Sequence, residues 1–421
     1  MKTTSLFNPE DLPPHIRYEK LFKHLPPLDE SSNVRGRPPF PKDTILRALI
    51  YRNLRGLPSL GDLAFELENN PMMAQVLGFS AFERPPSKER FSCFLRTTVN
   101  RDLQRIRLEL VRALSDEKVI SGHIIALDSS AIEANVRENN LKTAVKDRFD
   151  KSRRLRGDPD ARLSVKIHYP KPFQRKIGFF WGYRNHIIND TDSELPVHEV
   201  TYPADHDEKK VAVPLLEEMT SQFQFPVSHV IGDANYDTED ILQHIVSVMK
   251  ARPVIPLNPR RRQKDSFQLK KDTVLCPANL EMHRKGRMKN QNRIYLQYSC
   301  PLYWGKKYKG QYLFCPIGHP KFFKQKGCNY LMRLSPSVRD TIDYGSLRFK
   351  KIYNQRSSVE RVFSRLLVLA MQKPTVVKLQ ATRNHCTIAH ITVLLVALAA
   401  HRMGFTDKIR YVKSFLPRYA L

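Results

Sequence analysis

Apolar residues recur every three or four positions between Thr44 and Phe79, as in Ile45, Leu49 and Leu54 and again in Leu63 and Leu67, and that period predicts helices. Gly56 and Pro58 interrupt the pattern, and Ser59 stands where it can cap the helix that follows. A Pro-marked loop within ERPPSKERFSCFLRTT leads into an amphipathic helix reaching about Glu117. Together these segments predict an all-helical domain over 41–117, for DNA binding or dimerisation, after a Pro- and charge-rich arm at 1–40.

From Val119 the period changes. HIIALDSSAIEA reads as a buried strand followed by a turn, and the basic segment from Arg137 to Lys166 reads as a loop that orders late or on ligand binding. IGFFWGYRNHIIND and ELPVHEVTYPA are two strands joined by the polar turn DTDS. VAVPLLEEMTSQF is a helix and VSHVIGDANYD another buried strand, so an α/β unit is expected over 118–259. Residues 260–335, with a basic piece at 258–271, four of the six Cys and dense aromatics, read as an inserted subdomain of β-rich or irregular structure. The α/β unit resumes over 336–410 with a helix around Glu360 and a buried helix from about Thr387 to Arg402, and 411–421 is a tail.

The chain of 421 residues carries 70 Lys+Arg against 42 Asp+Glu, a formal net charge of +28. Such an excess repels itself in the compact state and points to a polyanionic partner. Ribosomal and membrane-surface proteins share this composition, so charge alone does not name the partner. The N-terminus lacks the apolar core of a secretory signal. The longest apolar run, Ile391–Ala400, is about half a membrane span, so it is expected as a buried helix rather than a membrane contact. Six Cys in a chain this long argue against a disulfide scaffold. A soluble, cytoplasmic protein is expected.

Three acids concentrate the candidate chemistry. Asp128 follows the apolar run Ile124–Leu127, Asp233 follows Val230-Ile231-Gly232, and Glu360 lies in IYNQRSSVERVFSRL. Carboxylates held on strand ends suit Mg²⁺, which prefers oxygen ligands. Two such ions about 4 Å apart serve an in-line displacement at phosphorus. Taken singly, an Asp after a strand more often caps a turn, and Asp205, Asp207, Asp237, Glu239 and Asp240 are expected in turns and helix starts. On a helix, Tyr353, Arg356 and Glu360 share one face, where a surface ion pair is the bland reading and a phosphate grip the functional one.

In the inserted region, Cys276, Cys300, Cys315 and Cys328, with His283 and His319, are of the types that bind zinc, and three of these cysteines precede Pro. No C-x-x-C pair is present, so buried free thiols are the simpler expectation. Tyr295, Tyr298, Tyr303, Trp304, Tyr308 and Tyr312 are interleaved with Lys306, Lys307 and Lys309. That mixture suits stacking of unpaired bases, and cross-strand packing equally. Trp181, on an expected strand, reads as core. Arg52, Arg55, Lys88, Arg90, Arg96 and Arg101 are candidates for phosphate contact from the helical domain.

Ordered along the chain, ALDSS, VIGDANYD and the Y-x-x-R-x-x-x-E run resemble the three blocks of bacterial insertion-sequence transposases with a DDE triad, in the branch with a Tyr-Arg-Glu signature. GRPPFP, LRGLPSLGDLAFELENNP, ERPPSKERFSCF, GDPDAR and FFWGYRNHIIND are similar to that family too, so the resemblance spans most of residues 35–400. It implies an RNase H-like catalytic core with Asp128 on the first strand, Asp233 on the fourth and Glu360 on a following helix. It also implies two Mg²⁺ or Mn²⁺ ions on these acids, double-stranded DNA as substrate, and a homodimer that joins two ends. The implied reaction is hydrolysis at element ends followed by attack of the freed 3′-hydroxyl on target DNA, with no covalent enzyme intermediate. Tyr353 and Arg356 would contact DNA, and Trp304 would receive a flipped base. Where the family places a Lys about seven residues beyond the Glu, this chain has Leu367, leaving Arg365 or Lys373 for that phosphate. A nuclease without strand transfer, or a catalytically silent DNA-binding descendant, are the alternative functions; flanking inverted repeats separate the first reading from both.

Overall fold

The computed structural model describes residues 6–8, 11–28, 40–171, 174–258, 268–270, 273–290, 293–324 and 326–415. Much of the expected arm (29–39), most of the basic stretch at 258–271 and the end of the tail (416–421) therefore lie outside the described residues.

Six helices come first: α1 (Pro14–Phe22), α2 (Lys42–Arg55), α3 (Leu60–Asn69), α4 (Pro71–Leu77), α5 (Lys88–Thr97) and α6 (Asn100–Asp116). Ser59 caps α3 in a reciprocal box with Asp62, and Gly56 ends α2 in the left-handed conformation that glycine adopts without strain. The region expected to be an arm holds a packed helix instead. Tyr18, Leu21 and Phe22 of α1 are buried, and an Arg17 guanidinium donates to the carbonyl of Ser414. Residues expected in the tail share that core, since Phe415 is buried against Phe7 and Tyr18. Aromatic burial, invisible to a charge count over the flanking residues, draws these two described segments together.

A mixed sheet follows, built from β1 (Ile124–Glu133), β2 (Arg162–Lys171), β3 (Gln174–Asp190), β4 (Leu195–Pro203), β5 (His229–Ile231) and β6 (Arg252–Val254), with α7 (Glu208–Gln222) and α8 (Glu239–Gln243) between strands. Its order is β2-β3-β1-β5-β6, and β4 also pairs with the long β3. β1 runs antiparallel to β3, while β1, β5 and β6 are parallel. Gly182 permits the close β1–β3 approach, because a Cβ there would lie 2.0 Å from the Ile132 carbonyl oxygen.

Among the described residues between 268 and 333 are β7 (Gln268–Lys270), β8 (Thr273–Leu275), β9 (His283–Asn290), β10 (Arg293–Ser299), the short α9 (Pro301–Trp304) and β11 (Asn329–Arg333). β9, β10 and β11 make a separate antiparallel sheet, with its own small core around Val274, Leu296, Tyr298 and Tyr330. Arg333 and Arg339 tie the end of this region to Glu239 on α8.

The chain then enters α10 (Leu347–Tyr353), α11 (Ser357–Val368) and α12 (Leu379–Arg402). α12 begins eight residues before the expected Thr387, because Asp160 accepts from the Leu379 amide and supplies a start that its neighbours in sequence do not. It is long and apolar enough to cross a membrane by composition, but it lies buried between α2, α5, α6 and β4. One hydrophobic core thus joins the six leading helices, the sheet and α12.

The basic segment 137–166 is more ordered than expected. Its end belongs to β2, Trp181 donates from its indole to the Arg148 carbonyl, and buried Asp158 accepts from the Tyr183 hydroxyl at 2.5 Å. Trp181 is core, as its strand position implied.

Candidate active site

Parallel pairing of β1 with β5 sets the site. Ala126 stands opposite Ile231, and pairing stops there. Asp128 and Asp233 each follow two residues later, so the register brings both acids level at the open end of the pair, where they line one cavity. Beyond this point, among the described strands, β1 pairs with β3 alone. Asp128 is therefore in the middle of β1, not at its end as the sequence pattern suggested. The apolar run stops at Leu127 because the β5 flank opens there, whereas the β3 ladder carries the strand on to Glu133. Asp233 follows the fifth strand in chain order, since β2 intervenes before the expected count of four.

The Asp128 carboxylate accepts from the Ser129 amide at 2.8 Å and from Arg356 at 3.0 Å. Asp233 accepts from the Asn235 amide at 2.8 Å and begins a 3-10 turn over Ala234–Tyr236. Burial pushes the Asp128 carboxyl up to about 7 against the pull of Arg356 and the Ser129 amide, and the nearby Asp233 and Glu208 charges add to the rise. Burial raises Asp233 as well. Two desolvated acids side by side are poorly compensated, the condition a hard divalent cation relieves.

Tyr353, Arg356 and Glu360 do not sit on one continuous helix. A 3-10 turn at Asn354–Arg356 separates α10 from α11. That turn lets Arg356 reach two ways, to Glu360 at 2.8 Å and across to Asp128. Glu360 is mostly exposed and meets Asp128 only through this guanidinium. Among the described residues no three His, Cys, Asp or Glu side chains are gathered to hold a metal ion. Tyr353 is half-buried, stacked on Phe349, and burial raises its hydroxyl.

Arg365, expected as a substitute phosphate contact, is buried and donates to Glu194, whose carboxylate also collects Arg361 and Arg410. Glu194 lies in the β3–β4 turn, so Arg365 faces into the fold and away from the acids. Its helix position, five beyond Glu360, turns it to the core-facing side with Val362 and Leu366. Arg52 is likewise buried, on the Pro58 carbonyl.

A cavity of about 360 Å³ beside Asp128 and Asp233 is lined also by Lys166, Arg184, Glu208 and Gln372. Glu208 was not legible as a site residue. It opens α7, where an acid ordinarily complements the helix dipole, and only the fold turns that end toward Asp128. Ser129 Oγ and Arg184 each donate to its carboxylate at 2.7 Å. Asp207 caps α7, and Glu239 with Asp240 start α8, as their positions implied.

Trp304 is half-exposed on α9 with the Lys285 ammonium 4.0 Å over its ring. Most neighbouring aromatics are engaged locally: Tyr298 with Tyr330, Tyr303 with Phe322, and Tyr308 with Tyr312. Cys276, Cys300 and Cys328 are buried free thiols in the small core, with Cys328 against the other two; Cys315 is partly exposed.

The mixed sheet thus carries two acids side by side, joined through an arginine to a glutamate on a late helix. The family described as "Transposase DDE domain" matches residues 164–395, more than half the chain, and "Transposase domain (DUF772)" matches residues 10–97. The chain belongs to the DDE transposase family and is of the insertion-sequence kind. The first match includes Asp233 and Glu360 and begins after Asp128. No curated protein matches. Among solved structures, the piggyBac transposase synaptic complex with hairpin DNA, studied by cryo-EM, is similar at 10% identity and a TM-score of 0.39, over 95% of this chain and 79% of that one. That likeness is too distant to bear on the chemistry.

Proposed function

We propose that this transposase cuts double-stranded DNA at the ends of its element and joins the freed 3′-hydroxyl to target DNA, with Asp128, Asp233 and Glu360 as its catalytic acids. The level placement of Asp128 and Asp233 by the β1–β5 register carries this reading. An RNase H-like core is supported by the path β4-β3-β1-β5-β6, antiparallel on one side of β1 and parallel on the other. The three acids would hold two Mg²⁺ or Mn²⁺ ions, which supply Lewis-acid stabilisation of an in-line displacement when bound.

Arg356 occupies the acids in the free chain and is freed for backbone phosphate once their charge is met elsewhere; Tyr353 lies beside it, in keeping with the Tyr-Arg-Glu branch. Trp304, exposed beside a cation, is placed to stack a base drawn out of the helix. A homodimer in the cytoplasm completes the proposal, since two ends are processed together.

The test is incubation of the purified chain with a plasmid carrying its own flanking DNA, with and without Mg²⁺. Metal-dependent cuts at the element boundaries and joined products are expected; cuts without joined products would leave a nuclease, and no cuts would overturn the reading. Trp304→Ala should slow cleavage of fully paired ends about tenfold and leave pre-opened ends unaffected; equal rates on both substrates would remove its role.

A pH dependence follows from Asp128. Its folded carboxyl is raised from 3.8 to about 7, so the native state holds that proton more tightly than the unfolded chain. The stabilisation is complete below about pH 4 and is lost as pH rises toward 7. Metal-free protein should therefore lose stability across that window, measured by thermal unfolding, and Asp128→Asn should not show this component. Above pH 7, Mg²⁺ should stabilise the native chain and not the variant.

A further inference from the structure

The basic segment after β1 makes a feature that the acids do not use. A cleft of about 780 Å³ is lined by Arg137, Arg153, Arg154 and Arg156 around Glu138. Four guanidiniums against one carboxylate leave a formal charge of +3 (four minus one). Glu138 is buried and already engaged, with Arg153 at 3.1 Å and Arg137 at 3.7 Å. Arg154 and Arg156 are exposed and make no hydrogen bond or ion pair among the described residues.

These two side chains are nevertheless carried on anchored backbone. Leu155 between them is buried in the main core at 1% exposure. Arg153 donates to the Lys146 carbonyl on one side, and Asp158 is fixed by Tyr183 on the other. With the backbone pinned, meeting an anion orders only the side chains and not the loop that carries them. The chemistry that suits several forked, fully charged donors in an open cleft is phosphate oxygen.

Position decides which phosphate. β1 carries Asp128 and runs five residues further to Glu133, roughly 17 Å at the strand rise, before the cleft begins at Asn135. At about 3.4 Å per base pair this distance is about five base pairs.

We propose that this cleft grips the sugar-phosphate backbone of the DNA flanking the cut, about five or six base pairs from the scissile bond. The inference rests on the transposase reading of the acid pair, and it adds a second, sequence-independent contact that holds the duplex in line with β1.

The test uses the full chain with Arg154→Ala and Arg156→Ala combined, measuring affinity for end DNA over a salt series. Losing two phosphate contacts should reduce the slope of log affinity against log salt by about 2, equally for end and unrelated duplexes. The charge-keeping pair Arg154→Lys and Arg156→Lys should restore the slope. On duplexes trimmed on the relevant side to fewer than about five base pairs from the cut, native and variant chains should bind alike. An unchanged slope with native binding intact would overturn the cleft alone, as would a defect that persists on duplexes trimmed on both sides. A native chain that neither binds nor cuts end DNA would overturn the transposase reading and this inference with it. A urea midpoint equal to that of the native chain confirms that the variant folds.

Discussion

Asp128→Asn should abolish Mg²⁺-dependent cleavage of end DNA, by at least about a thousandfold, while binding of that DNA is kept. A thousandfold corresponds to roughly 4 kcal/mol of barrier, the scale on which a metal-held charge acts at a transferring phosphoryl group. The amide keeps the shape of the side chain and can still meet Ser129, but it no longer offers a charged ligand or holds Arg356 electrostatically. Asp233→Asn and Glu360→Gln should give similar losses. The Glu360 variant is the sharper test, because that side chain is exposed and its only partner among the described residues is Arg356, so its loss should cost little stability. Full cleavage by any one of the three would remove that residue from the proposed triad. Binding lost in parallel with cleavage would instead mark a structural role.

The second large effect concerns stability. Glu199→Ala should destabilise the chain by roughly 3–5 kcal/mol, as removal of one member of a buried charged network does. Glu199 on β4 is buried, accepts from Asn185 at 2.7 Å and from Thr387 at 2.7 Å, and is bonded by Gln104. Burial opposes its charge, but His390, Thr387 and Arg107 outweigh that penalty and hold its carboxyl below the usual range. Arg107, fully buried on α6, donates to the Val197 carbonyl and meets His198. Without Glu199 that guanidinium keeps its desolvation cost and loses its largest compensating charge. Glu199→Gln should lose less, because the amide oxygen can still accept from Thr387 and Gln104, and only the Asn185 donor is left facing the amide nitrogen. Urea unfolding reads the difference, and an Ala variant within about 0.5 kcal/mol of native would show the network to be energetically idle.

This network also explains why the leading helices do not stand apart as the sequence suggested. Gln104 and Arg107 on α6 meet β4 and α12, and Asn384 on α12 donates to Leu95 and Thr98 beside α5. The helical period of 44–79 was visible because it is local. That the helices close over α12 and share its core was not, since α12 lies almost 300 residues further along the chain.

The acids divide in the same way. ALDSS, VIGDANYD and the Glu360 run were each recognisable as short blocks, because an apolar run ending in an acid is a local pattern. Their mutual geometry was not. The 3-10 turn at Asn354–Arg356 and the double bond of Arg356 depend on where α11 meets β1, a contact between segments more than 200 residues apart. Arg365 shows the cost of counting positions alone: five residues past Glu360 it is a nearby cation in sequence and a buried partner of Glu194 in space.

By itself, then, the sequence determined the helical and strand periods, the polyanion-seeking charge and the identity of three candidate acids, since these reside in residue type and short spacing. Tertiary structure alone decided that Asp128 and Asp233 stand level, that Glu208 and Arg184 share their cavity, and that four arginines converge beyond β1. The reason is physical: strand register and helix docking are set by burial summed over distant segments, and a polar side chain acquires its partner only when that burial has closed the chain around it.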